Sequence, residues 1–62
     1  MNNRIKKLRK QHGLTQEQLA KRLGFNRTQA GKWELGINEP NLQTLFRLAD
    51  MFGVTVEYLY CH

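Results

Sequence analysis

The chain has 62 residues, in which ten Lys and Arg outnumber five Asp and Glu and give a formal net charge of +5. A domain this short buries only about 60% of the surface that its unfolded chain exposes, so it has room for one small hydrophobic core. The basic balance points to an anionic partner, most often nucleic acid and less often a membrane surface.

Several classes of protein are excluded by what the sequence lacks. One cysteine cannot form an intramolecular disulfide, and no Cys and His stand at the spacing of metal ligands. The chain contains no serine, and Cys61 beside His62 at the terminus makes a poor nucleophile pair. The basic N-terminus is not followed by an apolar stretch. We therefore expect a cytoplasmic protein that is not an enzyme, spans no membrane, and binds no metal, cofactor or small-molecule ligand.

Apolar residues recur at steps of three and four, which predicts five helices and no strand. The helices are expected over residues 3–11, 15–24, 26–35, 42–51 and 56–60. Residue types that favour N-caps precede four of them, at Thr15, Asn26, Asn41 and Thr55. Glycines that favour helix ends stand at Gly13, Gly24, Gly36 and Gly53. We expect residues 1–62 to form a single compact all-α domain.

The predicted core gathers the apolar residues that these helices and their turns bring to one side. Its members are Ile5, Leu8, Leu14, Leu19, Ala20, Leu23, Phe25, Ala30, Trp33, Leu42, Leu45, Phe46, Leu48, Ala49, Val54 and Leu59. Trp33 is expected to be the apolar anchor of the third helix. Tyr58 and Tyr60 are expected to be partly exposed.

The second and third predicted helices form a pair joined by a tight turn. A helix-turn-helix needs a small residue where the helices touch, a glycine in the turn, and apolar residues that bury the pair. Ala20, Gly24, Ala30 and Trp33 occupy these positions. A lone A-x-x-x-G would be a weak signal, so the rest of the chain decides its significance.

Further motifs occur in a fixed order along nearly the whole chain. They are I-K-K-L-R at 5–9, G-L-T-Q-E-Q-L-A at 13–20, K-W-E-L-G at 32–36, E-P-N-L-Q-T-L at 39–45 and G-V-T-V-E-Y-L at 53–59. In this order and spacing the sequence closely resembles the Cro/Xre-type, phage repressor-like family of helix-turn-helix DNA-binding domains. The resemblance implies a third helix in the major groove and a second helix across the DNA backbone.

The resemblance also implies which residues meet double-stranded DNA. The expected base contacts are Arg27, Thr28, Gln29 and Lys32. The expected phosphate contacts are Gln16, Asn26, Arg9 and Asn38. Arg9 and Glu34 match a family pair that joins the first helix to the end of the third, which we interpret as an orienting pair.

The predicted function is a sequence-specific transcriptional regulator, with repression as the simpler mode. It is expected to bind a two-fold operator as a homodimer that forms mainly on DNA. The expected dimer contacts are Val56, Glu57 and Tyr58. The alternative is an antitoxin-like or adaptor-like protein-binding module of the same fold, for which the C-terminal residues Tyr58, Tyr60 and Cys61 would serve as the surface.

Three positions depart from the family pattern. Ala30 stands where relatives often carry Ile or Val, and Glu39 lies in a loop where they often carry Lys or Arg. Gly31 interrupts the third helix, where glycine costs about 1 kcal/mol relative to alanine. Either Gly31 lets the backbone approach DNA closely, or it has no function; the sequence favours neither reading.

Overall fold

Five helices and no strand make up residues 3–60, the part of the chain that the computed structural model describes. The helices are α1 (Ile5–Gln11), α2 (Gln16–Leu23), α3 (Arg27–Leu35), α4 (Leu42–Phe52) and α5 (Val56–Leu59). The all-α prediction is confirmed, and α2 and α3 pack closely together. None of these described helices is long and apolar enough to cross a membrane. Cys61 and His62 lie outside the described residues.

The first helix begins two residues later than predicted, because Asn3 acts as a link between helices. The Asn3 side-chain oxygen accepts a hydrogen bond from the Ile5 amide at 3.0 Å. Its side-chain nitrogen donates to the Trp33 carbonyl at 2.8 Å. Both groups belong to helix ends, which leave amides and carbonyls without partners inside the helix. Asn3 therefore joins the start of α1 to the last turn of α3.

The helix-turn-helix is fixed by side-chain caps at both of its N-termini. Thr15 and Gln18 form the predicted capping box at the start of α2. Asn26 and Gln29 form a second capping box at the start of α3, which the sequence analysis did not identify. Each box satisfies two backbone amides that lack partners. Between the helices, Gly24 ends α2 in the left-handed conformation with φ of 81°, which glycine adopts without steric penalty.

The observed core agrees with the predicted core except on one side of α4. Leu42 and Phe46 were predicted to be buried, but they are 63% and 57% exposed. The buried side of α4 instead follows Thr44, Leu48 and Phe52 at steps of four residues. At about 100° per residue, Leu42 lies about a third of a turn and Phe46 nearly half a turn from Leu48, the middle of that side. The apolar stripe of α4 is wider than the core that it contacts.

An edge-to-face aromatic pair helps to seat α3 on the domain. The rings of Phe25 and Trp33 have centroids 5.0 Å apart and an interplanar angle of 76°. Such pairs contribute about 0.5–1.5 kcal/mol beyond the area that they bury. Ala30, on the same helix, is fully buried. The inner side of α3 is therefore anchored by Ala30 and Trp33, which leaves its other residues for the surface.

The C-terminus of α2 is capped by an arginine from α4. Arg47 donates from one guanidinium nitrogen to the Leu23 carbonyl at 3.2 Å and from another to the Arg22 carbonyl at 3.0 Å. Cations near a helix C-terminus interact favourably with the unpaired carbonyls and with the helix dipole. Arg47 therefore stabilises the helix that precedes α3.

Replacing Arg47 with Met should lower the free energy of unfolding by about 1 kcal/mol, since it removes two charge-assisted hydrogen bonds at a partly exposed site. The melting temperature should fall by roughly 4–8 °C for a domain of this size. Arg22→Met is the matched control, because it removes the same charge from an exposed side chain. Thermal unfolding followed by circular dichroism gives both values, and equal effects would contradict the capping role.

Candidate nucleic-acid interface

The outer side of α3 presents the side chains that were predicted to contact bases. Arg27, Thr28 and Lys32 are all exposed. Thr28 and Lys32 are four residues apart and therefore lie one above the other on the helix surface, with Arg27 beside them. Ala30 and Trp33 hold the opposite side of the helix in the core. The arrangement gives α3 two positive charges and a hydroxyl on its solvent side.

Asn26 and Gln29 are exposed, but the capping box restricts what they can offer to DNA. The Asn26 side-chain oxygen accepts a hydrogen bond from the backbone N–H of Gln29 at 2.9 Å. The Gln29 side-chain oxygen accepts one from the backbone N–H of Asn26 at 3.2 Å. While this box is intact, each side-chain oxygen is engaged with a backbone N–H, and the two NH₂ hydrogens are the donors that remain. Bidentate reading of adenine by Gln uses both the oxygen and the nitrogen, so it competes with the box. Within the box, Gln29 serves as a donor to acceptors on a base or on a phosphate. The N-x-x-Q spacing at 26–29 was the available sequence signal.

A buried ion pair joins α1 to α3. Arg9 donates from Nε to one Glu34 carboxylate oxygen at 2.6 Å and from Nη2 to the other at 3.3 Å. Its third nitrogen, Nη1, donates to the Leu14 carbonyl at 2.8 Å. The side chains are only 10% and 3% exposed. The guanidinium is thus directed into the protein, and an Arg9 phosphate contact, which stays a prediction, would require the side chain to move.

The same carboxylate also receives a hydrogen bond from α2. Gln16 donates from Nε2 to Oε1 of Glu34 at 3.1 Å. Because a carboxylate accepts and does not donate, the nitrogen of the Gln16 amide must be the atom that faces it. Glu34 therefore binds side chains from α1 and α2 at once. Nothing in the sequence spacing alone placed Gln16 beside Glu34.

Two open depressions flank the N-terminal half of α3. The first lies between the starts of α2 and α3, and it is lined by Arg9, Gly13, Leu14, Thr15, Gln16, Glu17 and Arg27. The second includes the loop after α3, and it is lined by Phe25, Gln29, Trp33, Asn38, Glu39, Pro40 and Asn41. Gln16 thus shares a depression with Arg27. Asn38 is exposed beside Gln29, but the Glu39 carboxylate accompanies it and opposes a phosphate there.

Positive charge is concentrated in one half of the chain. Residues 1–32 contain nine of the ten Lys and Arg and one of the five Asp and Glu. Residues 33–62 contain one Arg and four Asp or Glu. The basic half holds α1, α2 and most of α3, including the exposed Lys6, Lys7 and Lys10. A polyanion is attracted most strongly to this half.

The predicted dimer residues lie on α5 with unequal exposure. Val56 is half-buried, Glu57 is exposed, and Tyr58 is 37% exposed. The guanidinium carbon of Arg4 lies 4.0 Å from the centroid of the Tyr58 ring. This cation–π contact covers part of the ring, and the sequence analysis did not predict it. Tyr58 therefore has a partner within its own chain.

Tyr60 contributes less surface than the alternative hypothesis supposed. Its hydroxyl oxygen is buried and has no hydrogen-bond partner among residues 3–60. Burial raises the pKa of this hydroxyl, and the Glu39 carboxylate raises it further. Tyr60 is thus a neutral side chain packed against the core. Large apolar side chains are exposed elsewhere, at Leu35, Ile37, Leu42 and Phe46.

Glu34→Gln should lower the free energy of unfolding by about 3–5 kcal/mol, because it leaves the buried Arg9 cation without its counter-charge. The double variant Arg9→Met/Glu34→Met should recover much of this loss, since it removes both buried charges. Glu17→Gln, at an exposed carboxylate, is the matched control and should stay within about 0.5 kcal/mol of the parent. Urea unfolding measures all four proteins. A loss for Glu34→Gln no larger than that of the control would contradict this account.

Comparison with known proteins agrees with the geometry. The family model described as "Helix-turn-helix" matches residues 5–59. An uncharacterized HTH-type transcriptional regulator of Methanocaldococcus jannaschii is 40% identical over 62 residues, which are 100% of this chain and 94% of that protein.

Two longer proteins are also similar. The SPbeta prophage-derived HTH-type transcriptional regulator YonR of Bacillus subtilis is 41% identical over 90% of this chain and 52% of its own length. The HTH-type transcriptional activator BcrR of Enterococcus faecalis is 41% identical over 94% of this chain and 28% of its own length. The chain thus spans nearly all of one relative but about half or less of these two. It belongs to the Cro/Xre-type helix-turn-helix family of DNA-binding transcriptional regulators.

Proposed function

We propose that this chain is a sequence-specific transcriptional repressor that binds a two-fold operator as a homodimer, with α3 in the major groove. The observation that supports this most directly is the exposed set of Arg27, Thr28 and Lys32 on a helix whose other side is anchored in the core. A rigid helix holds base-contacting side chains in register better than a loop does.

The exposed polar side chains of α3 each have a chemical task in this proposal. Arg27 and Lys32 donate to guanine O6 and N7, and Thr28 meets a base edge or a thymine methyl group. Gln29 donates from its NH₂ group while its oxygen stays in the capping box. Gln16, Asn26 and Asn38 donate to phosphates and set the register of the protein on the duplex.

The homodimer follows from how little DNA one α3 can reach. Two copies must present their recognition helices about 34–36 Å apart to read half-sites on one side of the duplex. We place the self-contact at Val56, Glu57 and Tyr58, and the exposed Phe46 supplies additional apolar surface in this half of the chain. Repression needs only occupancy of the operator. Similarity to the activator BcrR makes activation the other mode to test.

A protein-binding module is the second candidate function. Its support is a set of four large apolar side chains that are exposed, namely Leu35, Ile37, Leu42 and Phe46. Large exposed apolar surfaces on small proteins commonly meet a partner. Stable binding of another protein, without DNA affinity that depends on salt, would favour this candidate over the regulator.

The first experiment is selection of duplexes from a random pool by the purified protein. The selected duplex is then titrated against a scrambled duplex at two salt concentrations. A two-fold symmetric winner that binds far more tightly than the scramble supports the proposed regulator. Equal and weak binding to both duplexes, lost as salt rises, would overturn sequence-specific recognition and leave only generic charge attraction.

Arg27→Ala and Lys32→Ala should each weaken binding to the selected duplex by about 1–3 kcal/mol and relax the base preference at one position per half-site. Arg22→Ala and Lys21→Ala are matched controls, because they remove the same charges from exposed positions on α2. The controls should weaken binding to all duplexes alike. Repeating the selection with each variant measures the preference, and an unchanged base preference for both α3 variants would contradict their assignment to base reading.

Tyr58→Ala should weaken operator binding at least about tenfold, equivalent to 1.4 kcal/mol, because it removes apolar surface from the proposed dimer contact. Its effect on the free energy of unfolding should be smaller than its effect on operator binding, and it includes the cation–π contact with Arg4, worth about 0.5–1 kcal/mol, and the buried part of the ring. Tyr58→Phe keeps the ring and should preserve both properties. Operator titration and urea unfolding separate the two effects, and unchanged operator affinity for Tyr58→Ala would remove this interface.

A further inference from the structure

The middle of α3 contains a glycine, Gly31, although the backbone conformation there does not require glycine. The φ of Gly31 is not positive, so any amino acid except proline can adopt its conformation. The space above it is occupied, however. A Cβ atom at this position would lie 3.6 Å from Nε2, 3.8 Å from Oε1 and 3.9 Å from Cδ of Gln16. The whole amide group of Gln16 therefore lies across Gly31.

The position of this amide is fixed at its far end by Glu34. Gly31 and Glu34 are three residues apart and share one side of α3. Gln16 reaches from the first residue of α2, over Gly31, and donates to the Glu34 carboxylate. That carboxylate is itself held by Arg9. Each NH₂ group has two hydrogens, so one remains for another acceptor.

We propose that Gly31 is a positioning residue for DNA binding, because its small size lets Gln16 lie against Glu34 and present its remaining amide hydrogen to a phosphate. Gln16 lines the same depression as Arg27, where the backbone and base contacts of the recognition helix meet. This inference rests on the proposed function. It assigns the mid-helix glycine to the glutamine of α2 rather than to close approach of the α3 backbone to DNA.

The distances set a size limit at residue 31. A methyl group fits, since 3.6 Å is an ordinary van der Waals separation. Valine places two further carbons on Cβ, and in a helix its side chain has one strongly preferred rotamer, so it cannot easily turn away from the amide. Valine is also a better helix former than glycine. A loss of binding by Gly31→Val would therefore not reflect a weaker α3 helix.

The test uses Gly31→Ala, Gly31→Val, Gln16→Ala and the double variant Gln16→Ala/Gly31→Val. In the free protein, NMR should show an NOE between the Gln16 side-chain amide and residue 31 in the parent and in Gly31→Ala, and its loss in Gly31→Val. On the selected duplex, Gly31→Val and Gln16→Ala should each bind about tenfold or more weakly, as expected for a lost hydrogen bond to a charged group. Gly31→Ala should bind as the parent does, and the double variant no more weakly than Gln16→Ala.

Three results would overturn the inference. They are parental affinity of Gly31→Val, parental affinity of Gln16→Ala, and an equal loss of affinity from the valine with and without Gln16. The NMR measurement needs no DNA, so it separates this inference from the proposed function. If no duplex is selected but Gly31→Val displaces Gln16, the operator proposal fails while the packing relation stands. If Gln16 does not move, the positioning role fails even when an operator is found.

Discussion

The arrangement of the first three helices depends on the hydrogen bonds that the Glu34 carboxylate accepts. This carboxylate lies on α3 and accepts hydrogen bonds from Arg9 of α1 and Gln16 of α2. A buried carboxylate is favourable only when charge and hydrogen bonds compensate its loss of water. Arg9 supplies the charge, and Gln16 supplies a further donor. The packing of α3 against α1 and α2 therefore involves one carboxylate that accepts three side-chain hydrogen bonds.

Local signals in the sequence were sufficient to predict the five helices. They did not predict which apolar residues of α4 are exposed. Caps and glycines act within a few residues, so Thr15 and Gly24 mark the limits of α2 from sequence alone. Burial depends on which neighbours exist in space. Leu42 and Phe46 continue an apolar stripe that is correct for a helix, yet the small core ends before it reaches them.

In the candidate site, too, features that depend on neighbouring residues were predictable from the sequence, and contacts between distant residues were not. The exposed side of α3 follows from helical periodicity together with the family resemblance. Contacts between residues far apart in the sequence do not follow from these signals. Gln16 and Glu34 are separated by 18 positions, and Arg47 is separated by 24 and 25 positions from the two carbonyls that it caps. The second capping box was local, and its N-x-x-Q spacing was readable in the sequence. It was missed because Gln29 was interpreted only as a DNA contact.

That capping box has a consequence for the chemistry that α3 can recognise. With the Gln29 oxygen engaged in the box, the solvent side of the helix offers mostly donors, from Arg27, Lys32 and amide NH₂ groups, and the Thr28 hydroxyl is its least constrained acceptor. Cytosine presents a donor in the major groove, whereas guanine presents two acceptors. If α3 reads bases as proposed, a surface with many donors and few acceptors favours the two acceptors of guanine over the amino group of cytosine.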